Sequence, residues 1–104
     1  MKRIPLRSMS DPGTAEPAVI EWAGVIRAVI RRPLDQQKGV DVQEIRSGIR
    51  VLDALDHANG TLELEDADWE HLCTKTRAMQ WAFVDRRILS FIEDVTEPEH
   101  ADLR

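Results

Sequence analysis

The stretch Asp41–Gly60, DVQEIRSGIRVLDALDHANG, decides the fold class. Val42, Ile45, Ile49, Leu52 and Leu55 follow one another at three- and four-residue steps, the spacing that lines one face of an α-helix. Asp41 stands ahead of the stripe as an N-cap, and Glu44, three positions on, completes a capping box. Asn59-Gly60 closes the segment, because such residues adopt the left-handed conformation that ends a helix cheaply. The sequence thus predicts one complete helix, with Gln43, Arg46, Ser47 and Arg50 on its outer face.

Upstream, Val19, Trp22, Ala23, Ile26, Val29 and Ile30 recur at helical spacing, and Val25 and Ala28 widen the apolar surface beyond one stripe. Pro17 suits the first position of such a helix, and Pro33 forbids its simple continuation. The wealth of β-branched residues makes a strand the rival reading. A helix this apolar needs cover on more than one side, so Trp22, Val25 and Val29 are expected at an interface with another subunit. Residues 1–16, with Pro5, Pro12 and Gly13, read as a flexible N-terminal arm.

Downstream, Thr61–Glu65 alternates apolar and polar residues, which is strand periodicity. This segment is expected either as an extended connector or as a two-stranded ribbon with part of the arm. Asp66 reads as the next N-cap, with Trp69, Leu72, Cys73, Thr76 and Met79 as the inner face of its helix. Lys75 and Arg77 complement that helix's C-terminal end. Gln80-Trp81-Ala82 is a break, and Trp81 with Phe83 beside it is an expected interface anchor. A last helix covers about 84–95, and residues 97–104 form a mobile acidic tail. The expectation is one mainly α-helical domain at 17–96, with three or four helices and a short β element near 61–65.

The totals agree with that class. The chain has 104 residues, 42% of them hydrophobic and 32% charged, enough for one modest core. A single cysteine excludes an internal disulfide and fits a reducing cytoplasm. No secretory signal or membrane span is read, so a cytoplasmic protein of the host cell is expected. The net charge is −5, which argues against nucleic acid as the partner. Residues 1–50 hold nine Lys/Arg against six Asp/Glu, and residues 51–104 five against thirteen. Such a split fits head-to-tail packing of subunits or a partner that meets one half.

Candidate chemistry is sparse. The acidic run Glu63, Glu65, Asp66, Asp68, Glu70 alternates like a calcium loop but has no glycine for the sharp turn. Capping of the following helix accounts for its carboxylates. His57, His71 and Cys73 lack the paired spacing of a structural zinc site. Ser8, Ser10, Ser47 and Ser90 lack a nucleophile-elbow context, and no glycine-rich phosphate loop is present. No enzyme activity, metal or cofactor is therefore expected. The rival function is a winged-helix DNA-binding regulator, in which Lys38, Gln43, Arg46, Ser47 and Arg50 would meet DNA. An acidic inhibitor of a host protein is a third reading, drawn from the acidic second half.

Three motifs, RVLDAL (residues 50–55), LELEDADWEHL (62–72) and W-x-x-V-D-R (81–86) leading into FIEDV, carry a resemblance over the last two thirds of the chain. In these the chain resembles a type of small protein encoded in tailed-phage and prophage genomes. The resemblance implies a role in virion assembly, as a structural, connector or chaperone-like subunit that associates with itself or with other phage proteins, with incorporation into the virion open. It carries over no active-site residues.

Overall fold

The alternating segment after the central helix finds its partner at the far end of the sequence. In the computed structural model, which describes residues 1–10, 19–81 and 84–97, strand β1 (Lys2–Pro5) pairs antiparallel with β4 (Thr61–Leu64). Ile4 lies opposite Leu62, and both are buried, as is Leu64. Arg3 and Glu63 face each other on the outer side at 3.5 Å. The first ten residues were expected as a flexible arm; they are instead built into the fold. Their periodicity is too short to read alone, and Ile4 becomes a core residue only once β4 lies beside it.

A second ribbon pairs β2 (Ser8–Ser10) with β3 (Val19–Glu21). It corrects the expected helix start, since Val19–Glu21 is extended and helix α1 spans Trp22–Arg31. Pro17 lies outside the described residues. Trp22, Ile26, Val29 and Ile30 form the buried stripe of α1. This spacing of four, three and one is a single helical face. Trp22 is enclosed completely: Phe91 meets it edge-on at 5.7 Å between ring centroids, and its Nε1 donates to Asp94 Oδ2 at 2.8 Å.

The central helix, α2 (Val42–Asp56), begins as expected, with the Asp41 carboxylate accepting from the Glu44 amide at 2.8 Å. It ends earlier than Asn59-Gly60: His57 is the C-cap, and Gly60 alone takes a left-handed φ of 80°. Its buried face is the larger correction. Ser47, Gly48, Val51 and Leu55 face the core, whereas Val42, Ile45 and Ile49 face water. A Cβ added at Gly48 would lie 3.8 Å from the Ile30 side chain, so this small residue lets α1 pack closely.

Helix α3 (Asp66–Ala78) follows β4 directly, with Glu65 rather than Asp66 as N-cap. Leu72, Cys73 and Thr76 face inward as expected, and Trp69 Nε1 donates to the Val95 carbonyl at 2.8 Å. Helix α4 (Arg86–Thr96) is capped by the Asp85 carboxylate and buries Phe91 and Val95. The chain is mainly α, with four helices and two small antiparallel sheets among the described residues.

Candidate interaction surface

Helix α2 is held in its orientation by polar contacts on its inner side. The Glu44 carboxylate meets the Lys75 ammonium at 2.6 Å and accepts from the Leu34 amide at 3.2 Å. Lys75, almost wholly buried on α3, also donates to the carbonyls of Ile30 and Arg32. One cation therefore satisfies carbonyls left open at the end of α1 and anchors the start of α2. It stands, with Arg77, in the last turn of its own helix as expected, and these contacts add to that role. Arg50 donates from Nε to Asp68 at 2.8 Å and from Nη2 to the Ser47 hydroxyl at 3.2 Å. These contacts fix which face of α2 meets α3.

Within this polar seam, His71 Nε2 is buried without a hydrogen-bond partner. Burial and the neighbouring Lys75 charge hold the imidazole below its ordinary pKa, favouring its neutral form. Burial pushes the Cys73 thiol up, and its sulfur lies against the Val95 carbonyl. Near the end of α4's cap, the Arg87 guanidinium holds the Asp85 carboxyl below the usual carboxylate range. Among the described residues, no group of three His, Cys, Asp or Glu side chains is placed to hold a metal, and no helix is long and apolar enough to cross a membrane. A cleft of about 430 Å³ lies between the end of α1 and the end of α3, lined by Val29, Arg32, Leu34, Lys75, Met79 and Gln80. The Lys75 ammonium that borders it is already committed to three acceptors.

The polar anchoring leaves an apolar face outside. Val42, Ile45 and Ile49 keep 63, 46 and 51% of their surface in water, and Leu52 continues the line half-buried. Val40 and Leu34, in the loop that leads into the helix, are exposed as well. Three β-branched aliphatic side chains on adjacent turns form a continuous stripe rather than scattered apolar points. Beside them stand Arg46 and Asp53, both exposed, whose side chains have no ion-pair or hydrogen-bond partner among the described residues.

Most of the α1 face expected at an interface is covered within the chain. Trp22 and Val29 are buried by the chain's own helices, and Val25 is half-buried against the core. Trp81 is half-buried too, edge-on to Phe91 at 6.2 Å between centroids; Phe83 lies outside the described residues. The five residues of the DNA reading are also not one outward surface. Lys38, Gln43 and Arg46 are exposed, but Ser47 is buried and Arg50 is neutralised by Asp68. The strand after α2 pairs with β1 and makes no wing of its own. The signal for the α2 surface was present in the small residues Ser47, Gly48 and Ala54, which mark the side where other elements approach closely.

The fold and this face define a small helical protein with an uncovered apolar helix stripe. Compared with protein-family models, curated proteins and solved structures, the chain matches none.

Proposed function

We propose that this protein is a non-enzymatic interaction subunit in the assembly of tailed-phage particles, and that it works by burying the α2 stripe against another protein subunit. The observation that carries the reading is the exposure of Val42, Ile45 and Ile49 on consecutive turns. Water-facing aliphatic stripes of this kind on small proteins mark association surfaces. The charge asymmetry between the two halves of the chain supports the same reading, since it favours a directed meeting of subunits. The phage setting rests on the resemblance of the 50–55, 62–72 and 81–86 motifs.

Ile49→Glu separates this role from a role in folding. Because Ile49 stands half in water, the variant keeps the parent's stability to within about 0.5 kcal/mol. Val51→Ala, one step around the same helix in the core, costs about 2 kcal/mol. Co-expression with the virion proteins encoded beside this chain, followed by gel filtration, should give a complex that Ile49→Glu abolishes. A complex indifferent to Ile49→Glu, or no complex with any of those proteins, refutes the proposal.

A further inference from the structure

We propose that the cleft between the ends of α1 and α3 binds a small aliphatic carboxylate, held at its charged end by Arg32. The site is independent of the assembly role, because none of Val42, Ile45 and Ile49 lines this cleft.

The cleft encloses about 430 Å³, within the range of small-molecule sites. Its two cations differ in what they already hold. Lys75 is engaged internally: it meets Glu44 at 2.6 Å and donates to the carbonyls of Ile30 and Arg32. The Arg32 amide bonds the Val29 carbonyl at 3.3 Å, so the end of α1 is well supplied with donors. The Arg32 guanidinium is therefore not needed as a cap for its own helix. It reaches to Met79 instead, where Nη1 lies 3.8 Å from Sδ. A thioether is a weak acceptor, and among the described residues it is the one acceptor this guanidinium has. The side-chain amides of Gln36 and Gln80 line the same cleft, and neither has a hydrogen-bond partner among the described residues. No carboxylate among the described residues lines it.

These groups sort ligands by their chemistry. A guanidinium with its donors free matches the two oxygens of a carboxylate through two parallel bonds in one plane. Phosphate is served less well. Its sites gather backbone N–H groups at helix N-termini, whereas α1 and α3 both meet the cleft with their C-terminal ends. A single negative charge balances the single uncommitted cation. Val29 and Met79 supply apolar surface for a short aliphatic chain, and the two glutamine amides have donors for the outer lone pairs of the carboxylate.

Titration of the isotope-labelled full chain with sodium hexanoate, read by amide NMR shifts at constant ionic strength, tests this. Hexanoate should give saturable shifts centred on residues 32–36 and 78–80. One exposed ion pair and a short chain correspond to a Kd on the order of 1–10 mM. Arg32→Gln should weaken binding about tenfold, as the charge-assisted pair is lost. Arg46→Gln, which removes an exposed arginine outside the cleft, should leave binding unchanged. Both variants should keep the parent spectrum away from the substituted residue, since both side chains are exposed. Acetate should bind several-fold more weakly than hexanoate, because it lacks the chain that covers Val29 and Met79. Hexanamide, the uncharged isostere, should give no saturable shift. Shifts that do not saturate by about 50 mM hexanoate overturn the proposal. So does an Arg46→Gln loss equal to that of Arg32→Gln, which marks a general attraction of anions. Hexanamide binding as tightly as hexanoate, or inorganic phosphate binding more tightly, removes the carboxylate assignment.

Discussion

Replacing Lys75 with methionine isolates the contact that sets the orientation of α2. The lysine ammonium is buried and bonded to Glu44 Oε2 at 2.6 Å, to the Ile30 carbonyl at 3.0 Å and to the Arg32 carbonyl. Methionine keeps most of the aliphatic packing and removes the charge and all three donors. Glu44, whose side chain is 11% exposed, then keeps only the Leu34 amide at 3.2 Å. Breaking a buried pair by deleting one partner costs about 3–5 kcal/mol. The surviving amide contact and the conserved packing volume place Lys75→Met at the lower end, about 3 kcal/mol. That is a large share of the roughly 5–15 kcal/mol that holds a domain together. With a urea m-value of about 1–1.5 kcal/mol/M for a chain this size, the unfolding midpoint should fall by about 2–3 M. Replacing both partners, Lys75→Met with Glu44→Leu, should recover part of the loss, because no buried charge is then left alone. The reasoning fails if the single variant loses less than about 1 kcal/mol, or if the double variant is no more stable than the single.

His71 gives stability a pH dependence of known sign. Its pKa in the fold lies below the ordinary 6.5, so the unfolded chain binds the extra proton first. Stability should therefore fall as pH drops below about 6.5, and stop falling on this account once the folded-state pKa is passed. Urea titrations between about pH 7 and pH 5 should show a smaller loss for His71→Gln than for the parent; equal losses would refute it. Glycine substitutions should split by backbone conformation. Gly24→Ala, in open space in the first turn of α1, should raise stability by about 0.5 kcal/mol, whereas Gly60→Ala, at a φ of 80°, should lower it by about 1–2 kcal/mol. Thermal unfolding of the two variants decides this, and shifts of the same sign would count against it.

The helices were legible wherever the local signal was strong enough to act alone. The Asp41 cap, the break after Met79 and the alternation of Leu62 and Leu64 are properties of a few neighbouring residues, and all three are found. What could not be read was which side of α2 faces inward. Two stripes on that helix compete: a greasier one at Val42, Ile45 and Ile49, and a smaller-volume one at Ser47, Gly48, Val51 and Leu55. Hydrophobicity favours the first, but tertiary anchors favour the second. Glu44 is drawn to Lys75 and Arg50 to Asp68, partners 31 and 18 residues away in sequence, and the helix turns to satisfy them. The same error placed the surface stripe on α1. Its apolar width was read correctly, but α2, α3 and α4 cover it with residues whose proximity no local pattern reveals. The candidate surface was therefore seen as a core and the core as a surface because the deciding contacts are long-range: polar anchors at α2, aromatic and aliphatic packing at α1.

The strand at the start of the chain bears on how the protein is born. Ile4 is synthesised 58 residues ahead of its ladder partner Leu62. At ordinary elongation rates this is an interval on the order of several seconds, during which β1 has no edge to join. The nascent chain must hold Ile4 and the open edge of β1 uncovered through that time, so chaperone capture or mispairing between neighbouring nascent chains falls on Lys2–Pro5. Slowing translation before codon 61 should lower the yield of folded protein more than slowing it after codon 64.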